Sequence, residues 1–415
     1  MVRFQPANKQ QLHDAIHAMD PLTGMHAEHG HINTWDVRSV TNMSTLFRGL
    51  QHFNQPLGSW NVSNVTDMNE MFYNCHAFNQ PLNSWNVSNV TDMENMFYNC
   101  YAFNQPLNSW NVSNVIIMAW MFHECSAFNQ PLNSWNVSNV TNMAWMFHEC
   151  SAFNQPLNSW NVSNVTDMYG MFYNCHAFNQ PLNSWNVSNV IIMAWMFHDC
   201  HAFNQPLNSW NVSNVTKMAW MFYNCYAFNQ SLNRWNVSNV RRMGGMFENC
   251  LAFNQPLNHW NVSNVIDMSN MFKGCHAFNQ PLNHWNVSNV TDMSYMFKGC
   301  KAFHQDLPWK LRGSVGTNSM FDGSRGSLLE RRSPGTIRRR NGELAHSIIK
   351  RSNHPTMMRI DDDHFSPVEA DAPDFTRRLM ANVRKKSPEL LMGKTTKRKR
   401  SRSRSHSESR KPSLK

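Results

Sequence analysis

Residues 85–109 read W-N-V-S-N-V-T-D-M-E-N-M-F-Y-N-C-Y-A-F-N-Q-P-L-N-S, and nearly the same text returns every 25 residues. Tryptophan marks the register at Trp35, Trp60, Trp85, Trp110, Trp135, Trp160, Trp185, Trp210, Trp235, Trp260 and Trp285. A fixed period of this length is the signature of a solenoid. One unit is too small to enclose its own apolar face, and stacked neighbours enclose it jointly. Within the unit, Trp85 and Val87 alternate with Asn86, the pattern of a short strand. Ser88, Asn89 and Thr91 offer oxygens to the free N–H groups of a helix start. Met93, Met96, Phe97 and Cys100 then follow at i, i+3, i+4 and i+7, one face of a two-turn helix. The expected fold class is an α+β repeat, a solenoid with one short strand and one short helix per coil. The recurring asparagines suit a ladder of amides bonded to backbone and to one another.

Outward from the repeat, three segments follow. Residues 1–31 form a leader in which 4–17 read as a short amphipathic helix with Leu12 and Ile16 on its apolar stripe. It is expected to cap the open end of the stack, and Pro21 and Gly24 break the chain after it. Residues 32–326 form the solenoid of about eleven coils and a degenerate last unit. There Phe303, Leu307 and Trp309 arrive one residue early, and Gly323 and Ser324 replace the cysteine region. Residues 327–415 form a polar tail containing R-R-S-P-G-T-I-R-R-R, D-D-D-H and K-R-K-R-S-R-S-R-S-H-S-E-S-R. Few of its residues could build a core, so it is expected to be disordered, with a short helix near Phe375–Val383.

The 415 residues carry a net charge of +10, unevenly distributed. Residues 1–326 hold 14 Lys and Arg against 17 Asp and Glu, hence −3; residues 327–415 hold 23 against 10, hence +13. The leader has no apolar run of signal-peptide length, because Pro6, Asn8, Lys9, Asp14 and Asp20 interrupt it. No cysteine precedes Cys75, so no lipid-accepting cysteine is found there. An intracellular location, with the nucleus as one candidate compartment, is the expectation. All ten cysteines, Cys75 to Cys300, keep the 25-residue step, which suggests a reduced ladder facing the core.

The unit F-N-Q-P-L-N-S-W-N-V-S-N-V-T-D-M-x-x-M-F-Y-N-C resembles the BspA-like leucine-rich-repeat family. It is similar in particular to the 25-residue variety of mycoplasmal surface lipoproteins, also encoded by some large DNA viruses. The leader text G-H-I-N-T-W-D-V-R-S-V-T-N-M-S-T-L-F is similar to that family's first coil, and the likeness covers about residues 4–324. The resemblance implies a leucine-rich-repeat-like scaffold used for adhesion or protein binding, and no catalysis.

Function is expected where coils differ. Two residues past the first Met of each helical segment the series reads Glu70, Asn95, Trp120, Trp145, Gly170, Trp195, Trp220, Gly245, Asn270, Tyr295. Trp120 with Trp145, and Trp195 with Trp220, should pair on the helical side, with Ile116 and Ile191 beside them. An exposed apolar patch of this kind marks a protein-binding site; the competing structural reading packs the rings inward. The positions of His123-Glu124-Cys125, His148-Glu149-Cys150 and His198-Asp199-Cys200 do not fit a closed zinc site. The Asn-Val-Ser and Asn-Val-Thr sequons read as structural in a packed ladder. No nucleophile–base set, paired carboxylate or phosphate loop stands out, so neither enzyme activity nor a cofactor is expected. Lys397, Arg398, Lys399 and Arg400 resemble a nuclear-import signal and could contact phosphate backbones. The main expectation is a non-enzymatic scaffold for protein–protein interaction. The alternatives are a nucleus-directed protein whose tail binds nucleic acid, and a self-associating structural or surface protein.

Overall fold

The computed structural model describes residues 3–331 and 337–339. The segment Lys397–Arg400, the Arg-Ser text and the expected helix near Phe375–Val383 lie outside the described residues.

The leader opens with helix α1, Lys9–Ala18. Its start is set by Asn8, whose Oδ1 accepts from the N–H of Gln11 at 3.0 Å, the bond of an N-cap. The helix therefore begins five residues later than the stripe suggested, which leaves Phe4 to stack on His29 at 3.8 Å. Leu12, Ala15 and Ile16 are buried and join the core of the stack. Strands β1 (Met25–His26) and β2 (Gly30–His31) pair antiparallel and deliver the chain to Trp35.

Each coil is built from turns. No strand forms at Trp85–Val87 and no helix at Met93–Cys100. Instead the N–H groups of that second segment alternate between two uses. Those of Met96, Tyr98 and Cys100 close turns onto the carbonyls of Met93, Asn95 and Phe97 at 3.0–3.2 Å. Those of Met93, Asn95, Phe97 and Asn99 reach the next coil, to Ile117, Ala119, Met121 and His123, at 2.8–3.2 Å. Asn95 and Asn99 have φ of 55° and 57°. A left-handed residue at the third place of a turn defines type II, and it stops a right-handed helix. Successive turns of four residues bring i, i+3, i+4 and i+7 to one side, as a helix does. Met93, Met96, Phe97 and Cys100 are accordingly all buried, although the backbone that places them is different.

The coils stack in register. One-residue parallel bridges run from Asn42 through Asp67, Asp92 and Ile117 up to Gly316. Side chains repeat the same step. Asn79 Oδ1 accepts from the N–H of Asn104 and from Gln105 Nε2, both at 3.0 Å. Trp110 Nε1 donates to the carbonyl of Leu82 at 3.0 Å, and Cys100 Sγ to that of Phe72 at 3.1 Å. In the sequons, Asn86 Oδ1 accepts from the Ser88 N–H at 3.1 Å, and Asn89 Nδ2 donates to the carbonyl of Ser63 at 2.7 Å. The core is a set of ring columns. Phe72, Phe97, Phe122 and Phe147 stack at 5.6–5.7 Å, and Trp85, Trp110, Trp135 and Trp160 at 6.4–6.5 Å. Burying one such side chain stabilises by about 1.5–3 kcal/mol. The ten cysteines are unpaired and buried, and burial pushes their thiols far above the ordinary range, to about 12 at Cys300.

The fold does not stop at residue 326. Strand β3 (Asp306–Leu307) pairs parallel with β4 (Ser327–Arg331), and β5 (Ile337–Arg339) pairs antiparallel with β4. The last coil leaves backbone groups at 305–307 that need partners. Ser327 N–H meets the Gln305 carbonyl at 3.1 Å, and Leu328 packs against the core. The tail boundary expected at 327 is thus too early.

Candidate functional site

The turn segment of each coil carries two columns of interest. The first holds the left-handed residue of the first turn: Glu70, Asn95, Trp120, Trp145, Gly170, Trp195, Trp220, Gly245, Asn270, Tyr295. Asparagine and glycine adopt this conformation readily, whereas bulky residues do so rarely. Yet Trp120, Trp145, Trp195 and Trp220 sit there at φ of 62°, 58°, 65° and 60°.

Trp120 is buried, at 5% exposure. It stacks on Trp145 at 5.1 Å with 23° between the planes. Its Nε1 is buried without a hydrogen-bond partner. Trp145 in turn lies over Gly170, where an added Cβ would come within 2.4 Å of the indole. Glycine at 170 therefore makes the space that Trp145 fills, and Gly245 does the same for Trp220 at 2.3 Å. With Gly170 small, Trp145 reaches Trp195 edge-on at 6.4 Å, and Tyr169 closes on Trp145 at 4.9 Å. Trp195 and Trp220 are 6.5 Å apart at 59°. The four tryptophans form one cluster rather than two separate pairs. Trp145, Trp195 and Trp220 are half-buried. Ala119, Ala144 and Ala194, each one residue before a tryptophan of the cluster, are buried.

Ile116 and Ile191 are placed differently from the expectation. The turns that align such spacings begin at Met118 and Met193, after the isoleucines, and so do not carry Ile116 and Ile191 to the tryptophan side. Ile191, 46% exposed, lies in the threonine column, in a shallow depression lined by Asn164, Thr166, Asn189, Asn214 and Thr216. Ile116 occupies the same column, its N–H on the Thr91 carbonyl at 2.9 Å. Buried Ile117 takes the adjoining bridge position.

The second column was missed from sequence. Tyr73, Tyr98, His123, His148, Tyr173, His198 and Tyr223 stack face to face at 4.1–4.7 Å, seven rings in succession. The signal was present, since the aromatic residue follows Phe in the text of each of these coils. Burial holds the imidazoles neutral. It lowers His123 far below the ordinary range and His148 to about 3. His198 is lowered too, although its Nδ1 lies 2.8 Å from Asp199 Oδ2. His123 faces this ring column while Cys125 lies in the core, so the pair cannot share a metal. The leader histidines are likewise packing groups, with His26 and His29 stacked at 4.2 Å and edge-on to Trp35.

The repeat text matches the sequence profile of a family described as "Mycoplasma protein of unknown function, DUF285". The matches fall on residues 17–133, 84–180, 107–206, 156–255 and 229–328, overlapping across the whole array. The chain belongs to this family. It is thus a repeat protein of a mycoplasma-type family, and the family's description assigns no function. No curated protein matches the chain. Among the described residues, no helix is long and apolar enough to cross a membrane.

Proposed function

We propose that the chain is a non-enzymatic repeat scaffold that binds another protein through the tryptophan-bearing face between Trp120 and Trp220. One observation carries the reading. The same turn folds with Glu70, Asn95 or Asn270 in the left-handed place, so the coil has no need of tryptophan there. Holding a bulky residue in a sparsely populated backbone region costs on the order of 1–3 kcal/mol. Four tryptophans bear that cost in neighbouring coils, and tryptophan is a favoured anchor of protein interfaces. We further read the array as a turn-built relative of the BspA-like leucine-rich repeats, on the strength of its repeat text.

The test must avoid Trp120, whose burial makes it a core residue. In the full chain, Trp195→Ser with Trp220→Ser is expected to lower the melting temperature by only a few degrees. The same variant should lose the proteins that the unaltered chain retains when both are used as bait in parallel. An unchanged set of retained proteins, or an unfolded variant, would refute the assignment.

A further inference from the structure

The wall that hides Trp120 is made largely of histidine. Its indole is enclosed by Tyr98, His123, Trp145 and His148, with ring centroids 5.1–6.5 Å away. The two imidazoles are stacked on each other at 4.2 Å, 2° from parallel, and both are buried. Tyr98 covers the other face of His123 at 4.1 Å, and Tyr173 that of His148 at 4.7 Å. The fold does not demand histidine in this column, since Tyr73, Tyr98, Tyr173 and Tyr223 fill the same place in other coils.

Three buried polar atoms of the enclosure, Trp120 Nε1, His123 Nδ1 and His148 Nδ1, have no hydrogen-bond partner among the described residues. A buried polar group left unmade destabilises the arrangement that holds it. A neutral imidazole has one N–H, whereas the charged ring has an N–H at both nitrogens. Charging either ring therefore leaves an N–H at Nδ1 with no acceptor, whichever tautomer it starts from. Charging both sets like charges face to face at 4.2 Å, which disfavours the charged forms. Few charged groups face the pair. Glu124 Oε1 lies 3.8 Å from His123 Nδ1, too far to accept a hydrogen bond. Glu149 stands one coil on in the same left-handed column. His198 lies two coils beyond His148, with its Nδ1 2.8 Å from Asp199 Oδ2. From Gly49 to Thr216 the chain contains no lysine and no arginine.

We propose that mild acid opens this enclosure, with His123 and His148 leaving the ring column together and Trp120 joining the exposed tryptophans of the partner-binding face. This opening rests on the scaffold reading above and specifies how that face is regulated. At neutral pH the chain presents the half-buried Trp145, Trp195 and Trp220; in acid it presents a fourth indole. The released rings find carboxylates beside them in Glu124 and Glu149, and Trp120 Nε1 gains water. Clustered histidines suit such a change because their unperturbed charge transition falls just below neutral pH.

Hydroxyl-radical footprinting of the full-length chain at about pH 7.5 and about pH 5 tests the opening, with oxidation read at Trp120 by mass spectrometry. Labelling of Cys75 to Cys300 by a pyridyl disulfide, which reacts in acid, reports global unfolding in the same samples. Oxidation of Trp120 is expected to rise several-fold in acid and to return on neutralisation, while the thiols stay unlabelled. His123→Phe with His148→Phe should keep Trp120 protected at both pH values. His176→Phe with His201→Phe, a stacked pair outside the enclosure, should leave the acid response intact. His148→Phe alone is measured as well and should reduce the response, so that the outcome does not hang on one variant's folding. Unchanged protection of Trp120 in acid, exposure only together with thiol labelling, or an undiminished response in the His123 and His148 variants overturns the proposal. If the Trp195 and Trp220 changes abolish capture of a partner while Trp120 stays protected in acid, the scaffold reading stands and the opening falls. If Trp120 opens but those changes leave the retained proteins unaltered, the scaffold reading falls and the opening loses its link to a partner.

Discussion

Gly170 and Gly245 are the smallest residues of the aromatic face and the ones that shape it. Each is left-handed, with φ of 57° and 62°, and each lies under an indole from the preceding coil. Gly170→Ala therefore meets two obstacles, a strained backbone and a ring with nowhere to go. The expected cost is about 1–3 kcal/mol, read from denaturant unfolding, and the tryptophan emission should shift as Trp145 is displaced. The histidines give a second residue-scale outcome. His123, His148 and His198 have folded values depressed below their unfolded 6.5. The unfolded chain then takes up protons first, so their stabilising contribution is complete above about pH 6.5 and is lost as pH falls. For His148 the loss continues down to about 3. Asp167, raised by burial to about 6 from 3.8, acts in the opposite sense and offsets part of the loss between those values. Glu124 lies 3.8 Å from His123 and so supplies no hydrogen bond to it. Melting temperatures from pH 7 to 4 should fall for the unaltered chain and flatten in the His123→Phe, His148→Phe variant. Parallel curves would contradict the account.

At the scale of the coil, the ladder of amides sets a sharper test than the apolar core. Asn104 Oδ1 serves two donors of the next coil, the Asn129 N–H and Gln130 Nε2, both at 3.0 Å. Asn104→Ala strands the Asn129 N–H, while Gln130 Nε2 keeps its bond to the Asn104 carbonyl at 3.1 Å; the expected cost is about 1–3 kcal/mol, and Asn104→Asp, which keeps the acceptor, should cost less. The thiols provide a check on packing. A bulky disulfide reagent should leave all ten cysteines unlabelled in the native protein and label them after denaturation. Period, core membership and the solenoid itself were legible in the sequence, because Met93, Met96, Phe97 and Cys100 had to share a side whatever joined them. The joining backbone was not legible. Two four-residue turns and a two-turn helix present the same spacing, and only Asn95 and Asn99, residues at ease with positive φ, hint at the difference. The same error misplaced Ile116 and Ile191 and treated Trp120 as exposed. The tryptophan cluster could be named from its column, but its burial depended on Gly170 and Gly245, whose role is visible only once neighbouring coils are stacked.

For the array as a whole, backbone bonds pass from each coil to its neighbours one period away. Removing whole periods should therefore preserve the structure, whereas removing a fraction should not. Deletion of residues 261–285, one full period that leaves Gly245 beside Trp220, is expected to leave a folded protein with a cooperative melt. Deletion of residues 261–272 shifts the apolar register and should abolish that melt. Equal behaviour of the two would count against the stacked ladder.

The tryptophans of the core carry a consequence of another kind. From Trp85 to Trp309 ten indoles lie 6.3–6.5 Å apart, within 4° of parallel. Chromophores so close and so aligned share their excited states. Light absorbed at one indole is expected to migrate along the column, so that a single quencher should darken several rings. One misplaced coil should then register as a break in energy migration, read from fluorescence depolarisation.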